Sequence, residues 1–329
     1  MPYRLRARES ASKNYRRIAR EQMELTLREL SAPTVSPEGV HATRKALKRL
    51  RALLTCAEPA LDAPEIRKRK AVLRSIGRML APQRDATIAL QTARDLSQRF
   101  GADAAPIFVE LTAHLEMTSG DLSKSLDAEV ALEARRRLNL EAKKLAKIRL
   151  SGKGFEPLMV GIETAYRTAR RAFKRAYAHP SDDAFHTLRK CVQMHWRHMS
   201  LLSNAWPDSF AVRIAAAREL SQMLGDDHDV AIMLGCLGAM PDESRAEIAA
   251  LCARRQQELR EAARLRLALL FAERPKAFGK RMSQYWRFGA KMAARQRIAR
   301  AIPTADCAES AAKPVEMAPT VQPKSATGS

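Results

Sequence analysis

Two segments of the chain repeat one another, and they determine the fold class. Residues 41–54 read HATRKALKRLRALL and residues 186–202 read HTLRKCVQMHWRHMSLL, so both open with His-x-x-Arg-Lys. In each segment the apolar residues recur at intervals of three and four, which is the spacing of one face of an α-helix. The helical period continues through nearly the whole chain, without convincing β-alternation. The pattern therefore predicts an all-α fold.

The two segments are part of a longer internal duplication. His41 and His186 lie 145 positions apart, and the stretches 73–90 and 217–234 align at almost the same distance. Upstream, YRRIAREQ in the first half resembles YRTARRAF in the second. We expect about four helices in each half: a basic lead helix, the His-x-x-Arg-Lys helix, a helix ending at a leucine, and helices after the next aspartate.

The duplication also predicts the domain boundaries. We expect one domain over residues 1–300, with a first helical half at about 10–150 and a second at about 155–296. The predicted leucine ends of the third helices are Leu80 and Leu224. Residues 301–329 are rich in Ala, Pro, Thr and Ser, a composition that predicts a disordered tail.

The chain carries a large excess of positive charge in its helical part. The formal net charge is +22 and the pI is about 10.4. The residues after Ala301 contain two lysines against three acidic residues, so the excess does not come from the tail. Such a balance predicts attraction to a polyanion or an anionic surface.

Each repeated helix separates an apolar face from a cationic face. The apolar stripes comprise Val40, Leu47, Leu50 and Leu54 in the first helix, and Leu188, Val192, His195 and Met199 in the second. The opposite stripes comprise His41, Arg44, Lys45, Lys48 and Arg51, and His186, Arg189, Lys190, Gln193 and Arg197. Solvated helix faces usually mix charges of both signs, whereas the first cationic stripe contains no acid. We therefore expect these stripes to bind an anion.

These segments resemble the conserved histidine α-helical domain, the CHAD family. The resemblance rests on the two repeated segments, on their Gly-Arg-Met-Leu…Arg-Asp and Met-Leu-Gly…His-Asp endings, and on FAERPKAFGKRMSQYW at 271–286. It covers roughly residues 10–290. It implies two four-helix bundles related by a pseudo-twofold axis, with a basic channel between them. It also implies binding of inorganic polyphosphate and association with polyphosphate granules and their enzymes.

The resemblance places ligand-binding positions on both repeated helices. They are His41, Arg44, Lys45, Lys48 and Arg51 in the first half, and His186, Arg189, Lys190 and Arg197 in the second. The basic pair Lys48 and Arg49 is replaced by Gln193 and Met194 in the second half. We therefore expect the first half to contribute more to binding.

Cations on other helices extend the predicted site. Polyphosphate needs many cations along a track, where arginine makes forked contacts and lysine acts as a point charge. Arg74 and Arg78, with Arg218 as the second-half counterpart of Arg74, are predicted to form a third wall. The lead-helix candidates, for which a solvated helix face is an equally good interpretation, are Arg16, Arg20, Arg167, Arg171 and Lys174.

The histidines are predicted to have different roles. His41 and His186 align with arginine and lysine, so we expect them to bond phosphate as imidazolium. His195 lies on the packing stripe and is expected in the core, while the position of His198 is left open. His114 and His179 are expected on the surface.

A metal site is an alternative hypothesis, formed by convergence of His186, His195, His198, His228 and Asp229. No His-x-x-x-His spacing or cysteine pair supports it, and the surrounding cations would repel a metal ion. We expect neither a metal nor another cofactor. Asp85 and Asp229 precede apolar helical runs, so both are predicted to be helix N-caps, although they can also orient neighbouring arginines.

Other functional classes fit the sequence less well. The chain lacks a Gly-rich phosphate loop, a Gly-x-Ser-x-Gly motif and the Glu-x-Glu-x-Lys string of the triphosphate-tunnel domain found beside some CHAD domains, so we expect no enzyme. Nucleic-acid binding is the main alternative because DNA also suits a basic protein, but aromatics are not interleaved with the basic stripes.

The sequence also predicts a cytoplasmic protein without a membrane association. The first residues have no apolar signal-peptide core, and no apolar run approaches the roughly 18 residues that span a bilayer. The five cysteines form no Cys-x-x-Cys pair. The basic helices also carry few large apolar anchors for a membrane surface.

Overall fold

The structure, a computed structural model, describes residues 3–80, 84–101, 104–119, 126–151, 154–238 and 240–301. These residues form eleven α-helices and a 3₁₀ turn at Glu58–Ala60, and none of them lies in a β-strand. The α-helices are α1 (Ala11–Glu29), α2 (Pro37–Ala57), α3 (Ala63–Met79), α4 (Arg84–Phe100), α5 (Ala105–Ser119), α6 (Ala128–Ala146), α7 (Glu156–Ala178), α8 (Asp182–Leu202), α9 (Pro207–Leu234), α10 (Asp242–Leu270) and α11 (Pro275–Ala301). The prediction of an all-α fold is confirmed. The predicted tail lies outside the described residues from position 302 onwards.

The two repeated helices, α2 and α8, begin in the same way. Ser36 accepts a hydrogen bond from the backbone N–H of Gly39, and Ser181 accepts one from that of Ala184. Each serine therefore satisfies a backbone donor that has no partner within the helix. The helix starts are determined locally, because the capping residue and its partner lie three positions apart.

In the second half, the third helix does not end where the repeat predicts. In the first half α3 ends at Met79 with Leu80 as its C-cap, as expected. In the second half α9 continues through Leu224 to Leu234, and Asp229 lies inside it, so the N-cap prediction for Asp229 is wrong. Asp85 lies in the first turn of α4. The first half has Pro82 two residues after its leucine, which removes a backbone donor, whereas the corresponding residue of the second half is Asp226.

Two hydrophobic cores hold the helices together, and they do not follow the two sequence halves. The main core includes residues of α1, α2, α3, α6, α7 and α8, together with parts of α9, α10 and α11. The smaller core joins α4 and α5 of the first half to the end of α9 and the start of α10. At about 1.5 Å per residue, α9 and α10 are roughly 42 Å long, so each reaches both cores. This grouping differs from one bundle per half, and the duplication itself stays a prediction.

Helix α2 packs directly against α7 and α8 inside the main core. The Nε2 atom of His198 in α8 lies 3.0 Å from the carbonyl oxygen of Ala52 in α2. In α7, a Cβ atom added to Gly161 would lie 2.0 Å from the carbonyl oxygen of Cys56. These backbone-to-side-chain and backbone-to-backbone approaches determine the separation of α2 from α7 and α8.

The buried histidines belong to this core. His195 is 3% exposed, and its ring lies within 6 Å of the ring centroids of Tyr166 and Phe271, so its predicted core position is confirmed. Burial lowers the pKa of His198 to about 4. His179 is exposed as predicted, whereas His114 is half-buried. No α-helix in the described ranges is both long and apolar enough to cross a bilayer.

The close approach at Gly161 gives a testable prediction for stability. Gly161→Ala should destabilise the fold by about 2–3 kcal/mol, because the added methyl group meets backbone atoms that cannot rotate away. Gly77→Ala is the matched control, since its Cβ would make an ordinary 3.8 Å contact with Leu47. The control should stabilise α3 by about 0.5–1 kcal/mol. Urea unfolding measures both, and equal effects would contradict the close packing of α7 on α2.

Candidate functional site

A cleft opens between α2 and α8 on the side where both repeated helices carry cations. It encloses about 190 Å³, and we call it the central cleft. Its lining residues are Lys48, Arg51, His186, Arg189, Lys190, Gln193, Met194, Arg197 and His228. Among the residues that the structure describes, this lining contains no carboxylate. Cations gathered on a concave surface raise the local potential, so the cleft is suited to an anion.

Cations from three helices lie close enough to repel one another at this cleft. Burial lowers the pKa of Lys190 in α8, and the nearby charges of Arg51 and Arg74 lower it further. Burial also lowers the pKa of Arg51 in α2, with Arg74 of α3 as the second cause. The structure thus places part of the predicted third wall beside the two stripes. An anion bound here would relieve the repulsion.

Arg197 joins the central cleft to a second opening. The second opening encloses about 270 Å³, and we call it the side cleft. Its lining residues are Tyr3, Arg4, Lys45, Arg49, Trp196, Arg197 and Ser200. Burial lowers the pKa of Arg197 to about 10, and its Nη1 donates to the carbonyl oxygen of Gln193 at 2.7 Å. Arg197 is therefore fixed in position between the two clefts.

The N-terminal segment covers part of the side cleft. The hydroxyl of Tyr3 donates to the carbonyl oxygen of Arg49 at 2.9 Å, and the Arg49 guanidinium lies 5.5 Å from the Tyr3 ring centroid. Nη1 of Arg49 donates to Gln22 in α1. Burial lowers the pKa of Arg49. Arg49 therefore helps to hold the N-terminal segment, which the sequence did not predict.

His186 stacks on a histidine that the sequence analysis did not place in the anion site. The rings of His186 and His228 lie 3.8 Å apart, centroid to centroid. Burial lowers the pKa of His186, and Lys190 and Arg189 lower it further. Without an anion the structure therefore favours neutral imidazole, and the imidazolium expected from the sequence refers to the phosphate-bound state. Among the described residues, Nδ1 of His186 has no hydrogen-bond partner.

Two stripe arginines have partners inside the protein. Nη1 of Arg44 donates to the carbonyl oxygens of Gly77 at 3.1 Å and Leu80 at 3.3 Å, so Arg44 closes the C-terminal end of α3. Nη1 of Arg189 lies 4.0 Å from Oδ1 of Asp229, and its guanidinium packs over Gly225. Asp229 can therefore orient Arg189, as the sequence suggested. Some cations of both stripes therefore support the fold, whereas the sequence analysis assigned both stripes to ligand binding.

The remaining predicted cations lie elsewhere on the described surface. Arg16 and Arg20 line a groove between α1 and α6, and Arg167 is paired with Glu163. Arg218 lies 5.9 Å from the ring centroid of Trp196, a lining residue of the side cleft, but Arg218 itself lines neither cleft. The other exposed candidates that line neither cleft are His41, Arg74, Arg78, Arg171 and Lys174, of which Arg74 lies near Arg51 and Lys190.

The geometry does not bring the proposed metal ligands together. His195 and His198 lie in the core, whereas His186 and His228 stack at the cleft. In the part of the chain that the structure describes, no group of three or more potential ligands is arranged to hold a metal ion.

The position of His228 at the central cleft, which the sequence analysis missed, is a consequence of the continuity of α9. In an unbroken helix Gly225, His228 and Asp229 share one face, because they lie three and four positions apart. The predicted break after Leu224 hid this relation. Most of the central cleft lining comes from α8, although α2 has more cations in its stripe. The prediction that the first half contributes more remains a prediction.

The fold and the cleft define an all-helical domain in which two similar helices present their cations to one opening. A sequence profile described as the CHAD domain matches residues 13–238. The chain therefore belongs to the CHAD domain family, a family linked to polyphosphate binding.

Two solved structures are similar to this chain. A CHAD domain from the plant Ricinus communis has 18% identity and a TM-score of 0.56, covering 81% of this chain and 96% of its own. PptA from Streptomyces chartreusis has 16% identity and a TM-score of 0.56, covering 80% and 100%. These similarities show a shared fold. No curated protein matches the chain.

The hydrogen bonds of Arg44 generate a prediction for stability. Arg44→Ala should destabilise the protein by about 1–2 kcal/mol, because two carbonyl oxygens at the end of α3 lose a charged donor. Lys45→Ala is the matched control on the exposed side of α2 and should change stability by less than about 0.5 kcal/mol. Thermal unfolding followed by circular dichroism compares them. An unchanged melting temperature in Arg44→Ala would show that the cap is dispensable.

Proposed function

We propose that the protein binds inorganic polyphosphate in the central cleft. The observation that carries the proposal is that Arg51 and Lys190, from two different helices, line an opening whose described lining has no carboxylate, with Arg74 of a third helix close to both. Polyphosphate carries about one negative charge per phosphate along a thin flexible chain. It can therefore neutralise several of these cations at once, with arginines making forked contacts to phosphate oxygens.

The composition of the lining supports binding rather than catalysis. Besides its cations, the central cleft presents two imidazoles, the amide of Gln193 and the thioether of Met194. Arginine, lysine and amide groups donate hydrogen bonds to phosphate oxygens, and His186 can donate from one ring nitrogen when neutral and from both when protonated. Our proposal is a non-enzymatic polyphosphate-binding protein, acting in the cytoplasm at polyphosphate granules and beside their enzymes.

Duplex DNA is the competing polyanion, and the dimensions of the cleft favour polyphosphate. An opening of about 190 Å³ accepts a narrow chain, whereas a duplex is a broad rod that contacts only the rim. We expect long-chain polyphosphate to bind at least about tenfold more tightly than duplex DNA, or roughly 1.4 kcal/mol. Competition at matched phosphate concentration and near-physiological salt measures this ratio. If duplex DNA competes as well as polyphosphate does, the assignment of polyphosphate as the ligand is wrong.

Variants at the meeting point of the helices test the location of the site. Arg51→Gln with Lys190→Gln should weaken polyphosphate binding by about tenfold or more, since each charged contact contributes on the order of 1 kcal/mol even when partly exposed. The melting temperature should hold or rise, because repulsion between neighbouring cations is reduced. Arg171→Gln with Lys174→Gln is the control, which removes the same charge from exposed positions of α7. Equal losses in both double variants would indicate unspecific attraction instead of a site.

The stacked His186 gives a prediction for pH dependence. Burial, Lys190 and Arg189 keep its pKa below the ordinary value in the free protein, whereas a bound phosphate would raise it. Because protonation then accompanies binding, affinity should increase as the pH falls from 8 to 6. Long chains should be used, so that few end phosphates titrate in this range. His186→Gln should flatten the profile, and a flat profile in the unmodified protein would leave His186 as a structural residue.

A further inference from the structure

Helix α11 carries a positively charged surface outside the central cleft. Its sequence contains eight lysines and arginines and not one acidic residue. Arg281 is half-buried and paired with Glu273, but Arg287, Lys291 and Arg295 are exposed. These last three side chains follow one another at intervals of four, so they form a cationic stripe on one face of the helix.

An apolar strip runs beside these cations. Phe288 is 49% exposed, Met292 is 61% exposed, and Trp206 at the start of α9 is 50% exposed. Trp206 packs edge-on against Tyr285 at 5.0 Å between ring centroids. Tyr285, Phe288 and Met292 lie at helical positions i, i+3 and i+7, so they share a face.

The strip is anchored to the rest of the protein. A Cβ atom added to Gly289 would lie 2.3 Å from the carbonyl oxygen of Ala205, the residue before Trp206. This contact places the middle of α11 against the segment between α8 and α9. The exposed side chains on either side of the contact therefore belong to a helix whose backbone packs closely against this segment. We call Trp206, Phe288, Met292, Arg287, Lys291 and Arg295 the α11 patch.

Cations and apolar groups alternate closely on the α11 patch. The guanidinium of Arg287 lies 4.9 Å from the Phe288 ring centroid, and Nζ of Lys291 lies 5.8 Å from it. Large apolar side chains flanked by lysine and arginine are typical of helices that lie in a membrane interface. Tryptophan is also enriched there, because its ring is apolar and its N–H is polar.

We propose that the α11 patch docks the protein on the anionic surface of a lipid bilayer, in contrast to the expectation from the sequence that the protein has no membrane association. Phe288, Met292 and Trp206 enter the headgroup region, while the neighbouring cations contact lipid phosphates. A hydrated polyphosphate strand would satisfy the cations but would leave the apolar side chains in water. A single-stranded nucleic acid could stack its bases on the rings of Phe288 and Trp206, and it is the competing partner that the vesicle test excludes. The bilayer accommodates both the apolar side chains and the cations of the patch, and its contacts are separate from those of the central cleft.

Vesicle sedimentation with the full chain tests the proposal. The protein should sediment with vesicles of phosphatidylglycerol and phosphatidylcholine, and remain in solution with phosphatidylcholine alone. Phe288→Ser with Met292→Ser should weaken vesicle binding by about tenfold, and so should Arg287→Gln with Lys291→Gln. The matched control is Leu265→Ser with Leu269→Ser on α10, where the side chains are 77% and 78% exposed beside Glu261 and the Arg266–Glu219 pair. It should leave vesicle binding unchanged.

Two further measurements test whether the α11 patch and the central cleft bind different ligands. The Phe288 and Met292 double variant should keep its polyphosphate affinity, and the Arg51 and Lys190 double variant should keep its vesicle binding. If the cleft variant loses the vesicles, lipid phosphates bind in the cleft and the α11 proposal is overturned. A loss of polyphosphate affinity in the α11 variant would assign the patch to the polyanion track and overturn it as well. Dimers that are lost in the α11 variant, seen by sedimentation velocity without lipid, would make the patch an interface between two copies.

Discussion

The packing of α2 against α7 and α8 determines where every cation of the central cleft lies. The absent side chain of Gly161 lets α7 touch the backbone of α2, and His198 bonds a carbonyl oxygen of the same helix. Close-packed interiors change little when surface charges are altered, because each buried contact fixes its neighbours. The cationic faces of α2 and α8 are therefore held together, and they do not separate to reduce their repulsion.

The cations of the candidate site therefore repel one another in the folded protein. The pKa values of Lys190 and Arg51 are lowered by burial and by neighbouring cations, a combination that is common at functional sites. The apolar contacts of the main core offset the unfavourable charge interactions. Since the repelling groups lie closest together in the folded state, an anion that binds them there more tightly than it binds the unfolded chain would also raise the stability of the domain.

The two cationic stripes carry similar residues but differ in how much they contribute to the fold and to the central cleft. In the first stripe Arg44 caps α3, and the adjacent Arg49 holds Tyr3. In the second, α8 supplies most of the central cleft, although Gln193 and Met194 bring no charge. The number of cations in a stripe is thus a poor guide to its share of the site, because some of them bond to the protein itself. Helix α11 adds a further positive surface whose apolar neighbours distinguish it from the cleft.

The sequence by itself determined the all-α fold class and the separation of apolar and cationic faces in α2 and α8, and the serine caps at Ser36 and Ser181 are equally local. These features depend on residues three or four positions apart, so local physics is sufficient for them. Only the tertiary structure decided that Arg51, Arg74 and Lys190 converge, that Arg44 bonds to α3, and that His228 stacks on His186. The break predicted after Leu224 failed because the second half has no counterpart of Pro82, and α9, which packs in both cores, is continuous there. Distances between helices depend on how buried side chains pack across the core, and this packing cannot be predicted from the spacing of residues along the chain.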